Sequence, residues 1–368
     1  MTRFEILHSE SSCGWGGQEL RVIDEARGFL SEGHGVTLVA PAESRIIVEA
    51  RSRGVPVVAL PIARRSVAAL RALRAHIASR RIDIVNSHSS TDSWLSAIAL
   101  QTVREGPKLV RTRHVSAPIT GNWPTRWLYR RAADHVVTTG EALRLQVIRE
   151  AGVRESRVTS VPTGLDLERY SPGDQRAARV ELGIADDKFV VGVVATLRSW
   201  KGHRYLVEAF AAKACENWQL LIVGGGPGEE NLRRQVSELG IEKKVLMPGN
   251  QSDVLPWLRA MDAFALPSYA NEGVPQAIMQ AQACGIPVVS TAVGSITELI
   301  ADNETGLLVT PKDVDSLGAA IVRLAGDAAL RRRLADAAHQ QALQRYSDRL
   351  MIERMSDVFR SVMAARAS

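Results

Sequence analysis

The chain has 368 residues, 45% hydrophobic and 23% charged, with a formal net charge of +6. That is more than one hydrophobic core usually serves, so two domains are expected, with the composition of a soluble globular protein. No apolar run is long enough to span a bilayer, the opening M-T-R-F-E-I-L-H has no signal-peptide core, and the scattered Cys13, Cys215 and Cys284 argue against a disulfide framework or zinc cluster, so a cytoplasmic location is expected.

Strand and helix patterns alternate from the start. Residues 4–9 read as a short strand running through S-S-C-G-W-G-G-Q-E-L into a helical pattern at Leu20, Ile23, Ala26 and Leu30. Gly16 and Gly17, at the helix start, either bring backbone amides close to a phosphate or serve only as a turn. Strands are predicted over 35–40, 55–60, 82–86 and 108–112, with helices over 44–53, 66–79 and 91–102 between them. Continuous apolar strands separated by helices predict a parallel sheet covered on both faces. His88 and His114 each follow the carboxyl end of such a strand, where open α/β sheets bind ligands. His114 is the stronger candidate of the two.

Residues 117–131 interleave Trp123, Trp127 and Tyr129 with Arg126, Arg130 and Arg131. Two readings are open: a helix at a membrane surface, aromatics inward and arginines toward headgroups, or a packed helix with an exposed basic face. No nucleic-acid-binding motif accompanies the segment, and nucleic acid is not expected as a partner. A strand over 134–138, a helix reaching 151 and a strand over 158–161 complete this half, and the Pro- and Gly-containing 171–174 marks a boundary. Residues 1–174 hold 24 Lys and Arg against 18 Asp and Glu, so the whole +6 surplus is theirs. It is nearly all arginine, which suits an anionic partner or a solvated basic face.

The alternation restarts with a strand over 189–195 and a helix over 203–214. Arg198 and Lys201 sit in the turn between them, placed as two cations that neutralise a diphosphate. A strand over 220–223 runs into G-G-G-P-G-E, with Gly225 and Gly226, ahead of a helix over 229–239. This is not G-x-G-x-x-G, and no acidic residue follows at the dinucleotide spacing, so an NAD fold is disfavoured. Strands over 245–247 and 263–266 flank a helix near 253–259, which starts at Asp253. The most specific stretch is 267–300: a strand ending at Pro267, a polar loop with Glu272 before Gly273, a helix from Val274 to 284, Gly285 as its cap, and a strand over 286–290. Its loop and helix start belong above the carboxyl edge of a parallel sheet. After a strand over 306–309, three helical patterns close the chain. The only D-x-D, at Asp313 and Asp315, opens a helix after Pro311 and is read as helix N-terminal chemistry, with no metal expected.

The stretch 268–298 resembles the signature of retaining GT-B glycosyltransferases of family four (glycosyl transferases group 1). Ser268, Glu272, Gly273, Ala283, Gly285, Pro287, Val288, Val289, Gly294 and Glu298 fall in its places. One position departs: the family's second glutamate, eight residues after the first, is Gln280, which keeps one acceptor oxygen but no charge. The resemblance implies an α/β fold of two doubly wound Rossmann-like domains facing across a cleft. Residues 1–170 would hold the acceptor, 171–345 the nucleotide-sugar, and 346–368 would form a helix crossing back to the first domain. It further implies that Glu272 and His114 contact the donor sugar and that Arg198, Lys201 and the Gly16–Gly17 loop meet its diphosphate. Gln280 would take the ribose, the Gly225–Gly226 loop and the helix start at Asp253 would border the base, and His88 would line the acceptor cleft. Gly273, Val274 and Glu298 complete the expected donor-binding set. The implied function is transfer of a sugar from a UDP- or GDP-sugar to a hydroxyl of a glycan or lipid-linked acceptor, with retention and without a cofactor. Surface-polysaccharide or lipopolysaccharide assembly is the expected setting, with peripheral contact to an anionic membrane at its inner face. A sugar-nucleotide epimerase of the same architecture and a nucleotide-sugar-binding protein without catalysis are the alternatives.

Overall fold

The computed structural model describes residues 3–103, 105–270 and 272–365. The chain divides into two units, Met1–Gly164 with Asp348–Ser368, and Leu165–Ser347. Each is built around one wholly parallel sheet, as the apolar strands alternating with helices predict.

In the first unit seven strands, β1 (Glu5–Ser9), β2 (Gly35–Ala40), β3 (Val57–Ala59), β4 (Ile84–Ser87), β5 (Lys108–Arg113), β6 (His135–Thr138) and β7 (Val158–Ser160), lie in the order β3-β2-β1-β4-β5-β6-β7. The order reverses between β1 and β4, so their loops diverge and leave a crevice at the carboxyl edge. Helices cover both faces. Val22, Phe29 and Ile46 pack on one side and Leu73, Ile77 and Leu95 on the other, all buried.

The final helix, Asp348–Ala364, belongs to this unit. Its buried Met351, Ile352, Met355, Val358, Phe359 and Val362 form one stripe at helical spacing. That stripe lies on the helix Gly17–Ser31, where Phe29 and Phe359 place their ring centroids 5.1 Å apart. Gly28 permits the close approach, since a Cβ there would come within 2.4 Å of the Ile352 side chain.

The second unit has six strands, β8 (Phe189–Val194), β9 (Trp218–Val223), β10 (Val245–Gly249), β11 (Ala263–Leu266), β12 (Val288–Thr291) and β13 (Leu307–Val309), in the order β10-β9-β8-β11-β12-β13. Here the reversal falls between β8 and β11. The helix predicted from Val274 begins at Gln276, because Pro275 stands as its extended N-cap. Asp313 is likewise a helix cap, its carboxylate accepting from the Ser316 amide at 3.0 Å.

The segment 117–131 agrees with the reading of a packed segment with an exposed basic face, but it is not one regular helix. A short helix, Trp123–Trp127, continues as one π-type turn, Leu128–Ala132. Trp123 is 78% exposed, so the aromatics do not share an inner face. Trp127 is half-buried against Trp94, with ring centroids 6.0 Å apart. Tyr129 is buried under the Arg111 guanidinium, which sits 4.3 Å from its ring centre. Arg126, Arg130 and Arg131 are exposed.

Candidate active site

The two crevices are where the chemistry-bearing residues collect. In the second unit the loop after β8 closes through a 3-10 turn, Ser199–Lys201, and Gly202 at φ +76°. A Cβ on Gly202 would fall 2.0 Å from the Pro267 carbonyl oxygen, so the loops after β8 and β11 touch backbone to backbone. That approach brings Lys201 Nζ to 2.7 and 2.9 Å from the two Glu272 carboxylate oxygens. Ser268 Oγ donates to Glu272 Oε1 at 2.5 Å, and the Glu272 residue is only 3% exposed. Gly294, in the loop after β12, lies over the same carboxylate's backbone at φ +58°, where a Cβ would meet the Glu272 carbonyl at 2.1 Å. Ser268, Glu272 and Gly294, read in the sequence as one signature, are thus one packed cluster.

Arg198 stands apart from the ion pair. It is exposed, with its guanidinium 5.3 Å from the Trp200 ring centre, and it has no carboxylate partner among the described residues. The glycine loop after β9 is laced to the Arg198 loop. Leu197 N–H donates to Gly225 O at 3.0 Å and Gly228 N–H to Leu197 O at 2.9 Å, while Gly225 N–H donates to Asn250 Oδ1 at 2.9 Å. Gly226 approaches the Leu197 backbone so closely that a Cβ would lie 2.9 Å away. Asp253 accepts from the Leu255 amide at 2.9 Å and pairs with Arg169 at 2.9 Å. Gln280 is buried on the helix Gln276–Ala283, Val274 is half-buried just before it, and Glu298 is half-buried on Ile296–Leu299. Gly273 precedes that helix in the Glu272 loop.

In the first unit Gly16 is the extended N-cap and Gly17 the first residue of the helix after β1, whose amides open on the crevice side of the sheet. Because β1, β4 and β5 are neighbours, His8, His88 and His114 stand side by side at their ends. His8 Nδ1 is 2.9 Å from His88 Nε2, and His88 Nδ1 is 3.1 Å from His114 Nε2. Burial, reinforced by the nearby Arg21 cation, holds His8 down at about 3 and His88 and His114 well below the usual histidine range. All three rings are therefore neutral at pH 7. Arg21 is buried beside Glu25, Nε to Oε2 at 3.5 Å, and donates to the Val161 carbonyl at 2.7 Å.

Beside this row lies a second polar group that sequence reasoning missed. Asp92 accepts from Ser9 Oγ, Ser11 Oγ and the amides of His88 and Ser89 at 2.9–3.0 Å. Glu10 accepts from Ser12 N–H at 2.8 Å, from Gln18 Nε2 at 2.6 Å and from Ser89 Oγ. Burial and the neighbouring Asp92 push Glu10 up to about 8, and burial raises Asp92 to about 6. The signal available in the sequence was an acidic residue directly past a strand end, and an Asp three residues after Ser89 at a helix start. His8 was hidden within a strand, where a lone histidine reads as core.

Two doubly wound parallel units of this kind are the GT-B fold, the architecture of sugar-transferring enzymes. Residues 15–169 match the family described as Glycosyltransferase Family 4 and residues 174–341 the one described as Glycosyl transferases group 1. The chain is 32% identical over 311 residues to the D-inositol 3-phosphate glycosyltransferase of Saccharomonospora viridis, covering 77% of this chain and 71% of that protein. Against the protein of the same name in Stackebrandtia nassauensis it is 33% identical, over 71% of this chain and 64% of the relative. Among solved structures, HepE of Anabaena in complex with UDP has a TM-score of 0.86 at 24% identity, over 97% of this chain and 100% of that one. Sucrose-phosphate synthase of Thermosynechococcus elongatus has a TM-score of 0.83 at 20% identity, over 99% and 100%. The chain belongs to the family-four, group 1 glycosyltransferases, and it is a glycosyltransferase.

Proposed function

We propose that this enzyme moves a sugar from a uridine or guanosine diphosphate sugar to a hydroxyl, with retention at the anomeric carbon. The observation that carries the reading is the Lys201–Glu272–Ser268 cluster at the β8/β11 reversal, with Arg198 exposed beside the glycine loop and without a carboxylate partner among the described residues. Arg198 offers two parallel N–H donors to a departing diphosphate, and the Gly16–Gly17 helix start offers amides. Glu272, held by Lys201 and Ser268, orients the sugar, and His114 supports it as positive charge develops at the anomeric carbon. The leaving phosphate takes the acceptor's proton. Arg198 and these amides supply the charge neutralisation in this reading, and no metal or cofactor is invoked.

Structures of HepE with UDP and with UDP-glucose favour a uridine donor. The acceptor class is a glycan or lipid-linked hydroxyl of surface-polysaccharide assembly. The inositol phosphate in the relatives' name puts a phosphorylated polyol into the acceptor panel as well, and the arginine surplus of the first unit accommodates such an anion. No helix among the described residues is long and apolar enough to cross a membrane. The reading therefore places contact with an anionic bilayer at exposed Trp123 and at Arg126, Arg130 and Arg131. The last two line one basic cavity with Arg154 and Arg157.

Thermal stabilisation by a panel of nucleotide-sugars, followed by turnover with the acceptor panel, tests the reaction. Stabilisation by one diphosphate sugar and sugar transfer are expected. Stabilisation without transfer to any acceptor would favour the second reading, a binding protein, for which uncharged Gln280 is the structural hint. Co-sedimentation with anionic vesicles at low salt, lost at high salt and in the triple Arg126→Ser, Arg130→Ser, Arg131→Ser variant, tests the membrane contact. Equal binding to neutral vesicles would remove it.

A further inference from the structure

The three histidines of the first unit form a row whose protons can be counted. His8 and His88 are buried and His114 is half-exposed. The planes of His8 and His88 lie within 17° of each other, and those of His88 and His114 within 33°. With centroids 5.2 and 5.3 Å apart and the facing nitrogens at 2.9 and 3.1 Å, each pair meets edge to edge, so that N–H and lone pair, which both lie in their ring planes, point at one another. Each neutral ring carries one N–H. His88 therefore donates to one neighbour and accepts from the other, and both bonds must point the same way along the row.

The inner end decides which way. His8 Nε2 is buried and has no hydrogen-bond partner among the described residues. A row pointing inward would put the last proton on that nitrogen, a buried donor with nothing among the described residues to accept it, and orphan buried N–H groups are the rarer kind. A row pointing outward leaves a bare nitrogen there and delivers the last proton to His114 Nδ1. That nitrogen makes no hydrogen bond among the described residues and belongs to the half-exposed ring.

We propose that His8 and His88 are positioning residues that fix His114 as the Nδ1–H tautomer, so that it meets substrate as a hydrogen-bond donor and not as a base. The inference rests on the transferase reading for its role in turnover, but the proton arrangement stands independently of it. A donor at this point holds a substrate oxygen in place and cannot take the acceptor's proton through the same nitrogen. That agrees with leaving the proton to the departing phosphate.

Long-range proton–nitrogen NMR on the full chain labelled with 15N-histidine reads each ring's tautomer directly. Assignment comes from single His→Gln variants. The expected pattern at pH 7.5 is three neutral rings, each protonated at Nδ1. A proton on His114 Nε2, or a charged ring in the row, would overturn the proposal. Two substitutions at position 8 then test the direction. His8→Asn retains an N–H that can donate to His88 Nε2 and should keep His114 at Nδ1–H. His8→Met offers only a weak acceptor, and should reverse the row and move the His114 proton to Nε2. An unchanged His114 tautomer in His8→Met would remove His8 from the role.

In turnover, His8→Met should lower kcat by about ten- to a hundredfold, the scale of a misoriented catalytic group, with donor KM little changed and activity retained in His8→Asn. Full kcat in a variant with a reversed row would leave the tautomer assignment standing and overturn its part in catalysis. If wild-type protein shows the outward row but transfers no sugar, the failure belongs to the transferase reading.

Discussion

On the proposed reading, Lys201 carries a stability effect and a catalytic effect in one side chain. Its pair with Glu272 is nearly closed to solvent, with side-chain exposures of 18% and 4%. Removing Lys201 leaves a buried carboxylate whose remaining side-chain partner among the described residues is Ser268, which costs on the order of 3–5 kcal/mol. Lys201→Ala should therefore lower the melting temperature and reduce turnover by roughly a hundredfold or more. Adding Glu272→Gln tests the stability part alone: the double variant leaves no unpaired buried charge and should recover most of the stability lost in Lys201→Ala, measured by calorimetry. Near-wild-type turnover in Lys201→Ala would take Lys201 out of the reaction. Glu10 gives a second test at this scale, through pH. Its folded-state value of about 8 lies above the ordinary 4.5, so between those values the folded protein holds a proton that the unfolded chain releases. Stability from this group is complete below pH 4.5 and is lost as pH rises through 8. Glu10→Gln lacks the titration. Its stability relative to the parent should improve steadily from pH 4.5 to 8, whatever constant offset the lost carboxyl introduces. A pH-independent difference in urea midpoints would show Glu10 ionised in the native state.

The helix Asp348–Ala364 is the element whose place depends most on side-chain shape. It is far in sequence from the sheet it covers and is held there by an apolar stripe, by Gly28 and by the Phe29–Phe359 contact. Phe359 is fully buried, so Phe359→Ala should cost about 3–5 kcal/mol through lost burial and the cavity left behind. The loss should be confined to the first unit. Hydrogen exchange should show weakened protection in Gly17–Ser31 and in β1 and β2, with the amides of β8, β9 and β11 unaffected. Uniform loss across both units would mean that they unfold as one cooperative body.

For the molecule as a whole, buried neutral histidines set the response to acid. His8 is lowered to about 3, His135 and His203 to about 4, and His88 and His114 well below 6.5. As pH falls below 6.5 the unfolded chain takes up protons that the folded state refuses, so stability falls. Glu10, Asp92 and Glu25, all raised by burial, act in the opposite sense and offset part of the loss. The histidines prevail by number, and each net proton is worth about 1.4 kcal/mol per pH unit. Urea midpoints should be highest near pH 6.5, drop below pH 6 and decline more gently toward pH 8 as Glu10 titrates. Because His8, His88, His114 and His135 all belong to the first unit, its amides should lose protection first on acidification. A flat profile between pH 4.5 and 6.5 would contradict the neutral burial of these rings.

Two parallel α/β units were legible in the sequence because fully covered strands must be apolar throughout and the turns between them must carry glycine, proline or a cap. Arg198, Lys201 and Glu272 could be singled out because two cations share a strand-to-helix turn and the stretch 268–298 resembles a family signature; the backbone contacts at Gly202 and Gly294, which tolerate no side chain, explain the glycines at that spacing. The ends of elements were less legible: the break in 117–132 and the exposure of Trp123 follow from how one short helix meets Trp94 and Arg111, contacts absent from its own periodicity. That His8 joins His88 and His114 in one row, and Glu10 joins Asp92 in one group, was invisible for a stronger reason. Their members lie far apart in the chain, on β1, after β4 and after β5, and nothing local relates them. They become one chemical system only because the strand order reverses between β1 and β4, which brings distant strand ends together at one edge of the sheet, and no short-range pattern encodes that order.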